Sequence, residues 1–185
     1  MFRKVIALSI EIKPLDKEIY AGQKFTVRYS TNGYYDVRAS ENGFQFKYVP
    51  FDAPVEKSFE DEFFGKWLEN PAAFGAFDGE TLIGFVEGSL ESWNNRFRIS
   101  NICIFDRSKR HCGIGIMLMN AIQEAAKSTH ARMIVLETQS CNEHAIAFYK
   151  RNGFECIGLD LYAYTNEDPQ RHEVRIEMGK KLWNR

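Results

Sequence analysis

The sequence has few of the features that mark secreted, metal-binding or membrane proteins. Its four cysteines form no Cys-x-x-Cys pair, so neither a disulfide framework nor a metal site is predicted. The N-terminal apolar run is short, is interrupted by Glu11 and lacks a clear small-residue cleavage site. We therefore predict neither a signal peptide nor a membrane span, and we expect a reduced, cytoplasmic protein.

An excess of charge of one sign is also absent. The formal net charge is −1 at pH 7, so no overall attraction to nucleic acid or to a membrane surface is expected. Hydrophobic residues make up 44% of the 185 residues and charged residues 26%, which are ordinary globular values. No repeat, low-complexity run or linker divides the chain. The composition therefore predicts one folded domain over residues 1–185.

The most informative stretch is a glycine-containing turn, Arg110 to Gly115. It follows a strand-like run at 99–105 and opens a helix-like run at 116–127. Its two glycines let backbone N–H groups face a ligand, and the helix N-terminus adds partial positive charge. Arg110 adds a planar fork of donors that suits phosphate. The turn is suited to a pyrophosphate, although a plain tight turn explains the same glycines.

Two common nucleotide motifs do not fit this turn. A Rossmann fingerprint needs a third glycine where Leu118 stands. A P-loop needs Gly-Lys-Ser/Thr, but Ile116 and Met117 follow Gly115. The turn alone therefore does not identify a ligand.

A second stretch supplies the missing support. It follows a strand-like run at 133–137 and reads Asn142-x-x-Ala145-x-x-Phe148-Tyr149-x-x-x-Gly153-Phe154. Together the two stretches resemble the GNAT superfamily of N-acetyltransferases. The acetyl-CoA loop of that family reads Arg/Gln-x-x-Gly-x-Gly/Ala, and its later helix carries Asn-x-x-Ala-x-x-Phe-Tyr before Gly-Phe. The resemblance is best over residues 60–162, and residues 1–50 read as a β-rich N-terminal extension.

The resemblance implies an α/β (α+β) fold. It has a mixed central sheet with an antiparallel meander, one parallel splayed strand pair and flanking helices. The local patterns agree, because strand, helix and strand in succession predict a right-handed crossover and a parallel pair. Strands of the meander are expected at 73–77, 81–90 and 96–105, and closing strands at 155–162 and 173–180.

The N-terminal part is less regular. Alternating apolar residues predict strands at 6–12, 25–29 and 44–49, with turns at Asn32-Gly33 and Asn42-Gly43. These elements predict either an added β-hairpin or a strand edge used in a homodimer. After them, Ser58 and Asp61 resemble a capping box and predict a helix over 58–68. Its helical spacing rests on Phe59, Phe63, Trp67 and Leu68.

The resemblance also implies acetyl-CoA as the co-substrate. The pantetheine arm would pair with the exposed backbone of residues 102–104, and the N–H of Ile104 would meet the carbonyl as charge develops. His111 departs from the family, in which glycine is common at that place. Asn142 equally reads as a helix cap. The implied cofactor contacts are Ile102, Cys103, Ile104, Arg110, His111, Cys112, Gly113, Ile114, Gly115, Asn142, Phe148 and Tyr149.

For catalysis, the resemblance implies Tyr149 as the acid that protonates the leaving thiolate; otherwise it is a buried aromatic. Many family members carry an acidic base where this chain has Ser100 and Asn101. Glu137 is the first substitute and Glu87 the second. Glu137 also reads as an ion pair or a contact to the substrate ammonium, and an amine that arrives deprotonated needs no base.

A covalent route is the weaker alternative. Cys112 or Cys141 would carry the acetyl group, with His144 three residues after Cys141. Members of the family transfer the acetyl group directly, and such spacing on a helix is common by chance.

Three segments, 52–59, 136–139 and 159–164, look like those of streptothricin acetyltransferases. Those enzymes acetylate an amine on the β-lysine arm of a cationic antibiotic and so confer resistance. Glu56, Glu87 and Glu137 are the candidate substrate-binding residues, and further acids at 52–62 would favour a cation or merely a helix start. The alternatives are another small amine, such as a polyamine or aminoglycoside, and a non-catalytic acyl-CoA-binding sensor.

Overall fold

The computed structural model describes residues 10–183, so the predicted strand at 6–12 lies partly outside the described residues. The strands are β1 (Ile10–Pro14), β2 (Lys24–Ser40), β3 (Gly43–Glu62), β4 (Ala72–Asp78), β5 (Thr81–Glu91), β6 (Arg96–Ile104), β7 (Met133–Gln139), β8 (Glu155–Asp160) and β9 (Arg175–Lys181). The helices are α1 (Lys17–Tyr20), α2 (Ile114–Ser128), α3 (Glu143–Arg151) and α4 (Asp168–Arg171), with a 3-10 turn at Arg107–Lys109.

The larger sheet has seven strands in the order β1-β4-β5-β6-β7-β9-β8. Strands β4, β5 and β6 form the antiparallel meander, and β6 and β7 are parallel because α2 connects them. Strands β8 and β9 close the sheet in antiparallel fashion. The predicted mixed sheet, with its single parallel pair and flanking helices, is confirmed.

The parallel pair is short. It runs from Arg96 opposite Met133 to Ile99 opposite Leu136 and then stops. Beyond this point the residues 100–104 and 137–139 part, and we call the space between them the strand gap. The predicted splay of this pair is therefore confirmed by the strand pairing.

A bulge in β6 lies where the gap begins. The register of β5 and β6 shifts after Glu87, which leaves Ser100 as the extra residue on β6. One extra residue reverses the alternation of side chains along a strand. Accordingly Phe97 and Ile99 pack in the main core, whereas Cys103 packs in a second core on the other face of the sheet.

Helix α2 covers the main core. Its buried face repeats every three or four residues, as expected for an amphipathic helix, and consists of Leu118, Met119, Ile122 and Ala126. Full burial of one such large apolar side chain contributes about 1.5–3 kcal/mol. Within residues 10–183, no helix has both the length and the apolarity to cross a membrane.

Strands β2 and β3 form a separate two-stranded hairpin. The predicted turn at Asn42-Gly43 is confirmed, because Ser40 pairs with Gly43 across it. The predicted turn at Asn32-Gly33 is wrong, because β2 continues through these residues with a register shift between Thr31 and Gly33. Gly33 is needed there for close approach: a Cβ would lie 2.5 Å from the Val49 carbonyl oxygen.

The predicted helix over 58–68 is also wrong. Residues 58–62 continue β3 and pair with β2, from Arg28 opposite Ser58 to Lys24 opposite Glu62. Strand pairing satisfies the backbone groups that a helix would have satisfied, so the non-local partner overrides the capping-box pattern. Phe59 and Trp67, expected on the buried helix face, are exposed.

The second core anchors the base of the hairpin to the sheet. Phe25 of β2 and Phe63, which follows β3, both pack at an angle against Phe85 of β5, with ring centroids 4.8 and 4.5 Å from that of Phe85. Cys103 belongs to the same cluster. The hairpin base therefore covers the sheet face opposite α2, beside the strand gap.

We predict that this anchor is much more important for stability than the hairpin tip. Phe63 is 4% exposed, and Phe63→Ala should lower the free energy of unfolding by about 3–5 kcal/mol. Phe44 near the tip is 52% exposed, and Phe44→Ala should change it by about 0.5 kcal/mol or less. Urea denaturation followed by circular dichroism measures both. Equal losses would mean that the tip is covered in solution.

Candidate active site

The strand gap presents backbone donors from β6. The Phe105 N–H donates to the Ile83 carbonyl at 2.9 Å, which sets the alternation of hydrogen-bonding groups along β6. By that alternation, the N–H groups of Ile102 and Ile104 turn away from β5 and toward the gap. A Cβ on Gly84 would lie 3.3 Å from the Ile104 Cα, the close approach of a non-hydrogen-bonded pair. The structure thus places the predicted 102–104 backbone at an open strand edge.

The glycine loop leads into α2. Gly113 is its N-cap, in a left-handed conformation with φ of 85°. The N–H groups of Ile116 and Met117 return to the Gly113 carbonyl, whereas those of Ile114 and Gly115 find no backbone partner in the described chain. Free N–H groups at a helix N-terminus fit a pyrophosphate.

Three neighbours complete this loop. His111 is also left-handed, with φ of 63°, and both His111 and Cys112 are exposed. Gly115 faces α3, because a Cβ at that position would lie 3.3 Å from the Phe148 ring. The predicted contacts at 111, 112, 114, 115 and 148 therefore lie together around one helix terminus.

Arg110 joins the loop to the gap. One guanidinium nitrogen donates to the Ile104 carbonyl at 3.2 Å and to the Arg28 carbonyl of β2 at 2.6 Å. The remaining guanidinium N–H groups stay available for an anion. Arg110 thus lies where the loop, β6 and the hairpin meet.

Tyr149 reaches the same region from α3. The helix begins at the N-cap Asn142, whose side chain accepts from the Ala145 N–H at 3.3 Å, so the predicted cap is confirmed. Tyr149 is 8% exposed in the main core, and its hydroxyl has no hydrogen-bond partner within residues 10–183. Burial, and then the nearby Cys103 thiol, raise the pKa of Tyr149. The phenol therefore stays protonated near neutral pH.

Glu137 lies on the β7 side of the gap as a charge partner. It accepts from the Tyr164 hydroxyl at 3.3 Å, and its carboxylate lies 3.6 Å from Arg175 and 3.9 Å from Arg98. Arg98 also binds Glu177 at 2.7 Å. An ion pair was one of the roles predicted for Glu137; its catalytic role stays a prediction.

Glu87 and Glu56 lie in different surroundings. Glu87 is buried on β5, opposite Asn101 of β6, whose amide donates to it at 3.0 Å. Glu56 is exposed and pairs with Arg107, in the turn before the glycine loop, and this bond lowers the pKa of Glu56. The structure brings Glu87 to the gap but brings Glu56 to the turn before the glycine loop.

The geometry gives no support to a covalent cysteine route. Cys141 is buried, and burial raises the pKa of its thiol, the opposite of an activated nucleophile. The thiol contacts the Tyr29 hydroxyl at 3.6 Å, whereas His144 contacts Asn32. Cys112 is exposed and contacts the Arg110 carbonyl.

Several residues around the gap carried no clear signal in the sequence. They are Tyr29, which donates to Gln139 at 2.9 Å, Tyr164 beside Glu137, and Asp61, which accepts from Asn101 at 2.9 Å. Asp61 was among the acids at 52–62 considered for a cation, but the incorrect helix prediction placed it in the first turn of a helix. Glu87, already the second candidate for the base, had a usable signal, because it is the one charged residue between Thr81 and Leu90 of β5.

Comparisons with known proteins agree with this geometry. The Acetyltransferase (GNAT) family model matches residues 38–154. A streptothricin acetyltransferase from Streptomyces lavendulae is 31% identical over 145 residues, which cover 74% of this chain and 76% of that protein.

Solved structures agree as well. The crystal structure of nourseothricin acetyltransferase aligns with a TM-score of 0.77 at 28% identity and covers 94% of this chain and 99% of that one. A chain from Bacillus anthracis, solved in complex with acetyl coenzyme A, shares the fold with a TM-score of 0.70 at 24% identity, over 96% of this chain and 99% of that one. This chain therefore belongs to the Acetyltransferase (GNAT) family and is an N-acetyltransferase.

Proposed function

We propose that this protein moves the acetyl group of acetyl-CoA to a primary amine of a small cationic substrate, and that the substrate is streptothricin. The reaction would inactivate the antibiotic and confer resistance. The observation that carries the choice of substrate is the 31% identity to a streptothricin acetyltransferase over 145 residues. A match over 74% of this chain necessarily includes the glycine loop and strands β5 and β6.

The charges beside the gap support a cationic substrate. Carboxylates of Asp61, Glu87, Glu137 and Asp160 come from four different strands. Arg175 and Arg98 neutralise part of this charge, which leaves Asp61 and Glu87 without a cationic partner among the described residues. An acidic approach favours association with a polycation.

In this proposal the two motifs have different roles in binding acetyl-CoA and in proton transfer. The free N–H groups of Ile114 and Gly115, with Arg110, would hold the pyrophosphate of acetyl-CoA. The N–H groups of Ile102 and Ile104 would face the pantetheine arm and the thioester oxygen. Tyr149 would donate a proton to the leaving sulfur.

A panel of amines tests the choice of substrate. We expect streptothricin to give a higher kcat/KM with acetyl-CoA than spermidine or kanamycin, measured by release of the free thiol of CoA. A higher value for either of the others would replace streptothricin as the substrate. Binding of acetyl-CoA without turnover of any amine would indicate a sensor instead of an enzyme.

We predict that acetyl-CoA stabilises the protein through the glycine loop. At a hundredfold excess over Kd, a ligand stabilises by about 2.7 kcal/mol, and about 1 kcal/mol raises Tm by roughly 2–4 °C in a chain of this size. Gly115→Val adds a branched side chain where even a Cβ would lie 3.3 Å from the Phe148 ring, and it should abolish the Tm increase.

The control is Asn120→Val, which places the same side chain at an exposed position of α2. It should keep the full Tm increase with acetyl-CoA. The difference in Tm with and without ligand is compared within each variant, so lost stability alone does not mimic lost binding. A normal increase for a folded Gly115→Val protein would show that the loop does not hold the cofactor.

We predict that Tyr149→Phe slows acetyl transfer by about a hundred- to ten-thousand-fold, because a positioned acid contributes that much. The ring is kept, and the hydroxyl has no partner within residues 10–183, so stability should change little. The measurement is single-turnover transfer at saturating acetyl-CoA and amine. Tyr35→Phe, which removes another hydroxyl beside the same core, is the control. A rate within about threefold of the unmodified protein would leave Tyr149 as a core aromatic.

A further inference from the structure

Glu87 is a buried carboxylate with fixed hydrogen bonds at the start of the strand gap. It is 1% exposed, and its Oε2 accepts from the Phe64 N–H at 2.9 Å while its Oε1 accepts from the Asn101 amide at 3.0 Å. Burial of a carboxylate is unfavourable unless it is paired with a cation or well bonded. Within the described chain no cation pairs with Glu87, so its burial calls for another explanation.

The turn that presents Phe64 to Glu87 is strained. Phe64 is buried and adopts φ of 55°, in the left-handed region that non-glycine residues avoid. Such conformations persist where the surrounding structure enforces them, and they concentrate at functional sites. Here the conformation lets a backbone N–H at the end of the hairpin bind Glu87 of the sheet.

Asn101 bonds to Glu87 from β6. Its side-chain nitrogen donates both to Glu87 and to Asp61, at 3.0 and 2.9 Å. Because both partners are carboxylates, only the amide nitrogen can face them, and this fixes the orientation of the amide. The bulge at Ser100 turns Asn101 to this face of the sheet, two residues after the last pair of β6 with β7.

We propose that Glu87 accepts the proton of the incoming ammonium group, directly or through one water, and that Asn101 is the residue that positions Glu87. Asp61, which is half-buried, holds the ammonium charge at the edge of the gap. The proposal rests on the proposed acetyltransferase function. Each Glu87 oxygen accepts one bond in the structure and keeps a second lone pair for the proton.

The reaction then balances. The ammonium gives one proton to Glu87, and the freed nitrogen lone pair forms a bond to the thioester carbonyl carbon. The C–S bond breaks, its electron pair leaves with sulfur, and Tyr149 protonates the sulfur. Nitrogen loses a second proton as the amide forms, which restores the proton given by Tyr149. Glu87 releases its proton to solvent, so one proton is produced for each amide.

The surroundings of Glu87 fit this role. Burial raises its pKa, and the bonds from Phe64 and Asn101 oppose that rise. The ionisable group that faces it from β3 is Asp61, whose charge raises the pKa further. Two other ionisable residues of β6 lie on the same face, Cys103 after Asn101 and Arg98 before the bulge. Arg98 binds carboxylates other than Glu87.

A base is useful at this place because a primary amine is a poor nucleophile at neutral pH. With a pKa of about 10.4, only about one amine in a few thousand is neutral at pH 7. A carboxyl group with a raised pKa is a stronger base than an exposed one, yet it ionises below the pKa of the amine. Activity should therefore rise with pH as Glu87 loses its proton, and level off above that point.

We predict that Glu87→Gln lowers kcat/KM for the amine at pH 7 by about a hundred- to ten-thousand-fold. The plateau should vanish, and log kcat/KM should instead rise with pH up to the pKa of the amine itself. The measurement is the pH profile at saturating acetyl-CoA, with the fastest amine of the panel. Glu80→Gln, at an exposed position in the turn between β4 and β5, is the control and should keep the normal profile.

The other two residues give distinguishable results. Asp61→Asn should raise KM for the amine and keep both kcat and the plateau. Asn101→Ser and Asn101→Asp should each move the rising part of the pH profile of kcat/KM to higher pH, because the ionised form of Glu87 loses a hydrogen-bond donor. A merely structural role for Asn101 would lower the rate without moving that part of the profile. Loss of the plateau in Asp61→Asn, with its retention in Glu87→Gln, would overturn the proposal.

A measurement without turnover completes the test. In a carbon-13 NMR titration of the free protein, the Glu87 carboxyl, assigned by its absence from Glu87→Gln, should titrate above the ordinary range for glutamate. An ordinary value would overturn the proposal even if activity falls. Turnover of an amine other than streptothricin would overturn only the choice of substrate, whereas no turnover of any amine would overturn both proposals.

Discussion

The arrangement of the molecule depends on the parting of β6 from β7. The two parallel strands share four residue pairs, from Arg96–Met133 to Ile99–Leu136, and then separate. Beyond these pairs, backbone groups that face the gap have no partner strand. Because unpaired polar groups in an interior are costly, a ligand that hydrogen-bonds to them would be favoured. The bulge at Ser100 lies at the same level, so the loss of pairing and the reversal of side-chain direction happen together.

The hairpin, and not a helix, covers the face of the sheet opposite α2. Its base packs aromatic rings on Phe85, and its polar side chains reach the gap from the side opposite α2. The middle of the hairpin holds α3, because the Glu143 carboxylate accepts from the Asn32 N–H at 2.8 Å and from the Tyr48 hydroxyl at 2.7 Å. One added element therefore contacts both the strand gap and the helix that carries Tyr149.

Local patterns in the sequence were sufficient for the glycine loop, for the helix that carries Tyr149 and for most strands. The turn around Gly113 and the helix around Tyr149 each depend on residues close in sequence, so short motifs reveal them. The hairpin side depends on distant partners. Asp61 meets Asn101 across 40 positions, and the Ser58-to-Asp61 pattern that reads as a capping box is overruled by pairing with β2. Pairing of this kind leaves no local trace in one sequence.

The two proposed proton-transfer groups lie on different sides of the sheet. Tyr149 belongs to the main core, and Glu87 lies on the face that the hairpin covers, where it accepts from the Phe64 N–H. Burial raises the pKa of both groups, with opposite uses: the phenol is kept as a donor, and the carboxylate becomes a better acceptor. An amine that arrives from the hairpin side would then face a thiolate that is protonated from the helix side. In this arrangement Glu87 would gain a proton from the amine while Tyr149 gives one to the sulfur, so the two proton transfers would take place on opposite sides of one carbonyl carbon.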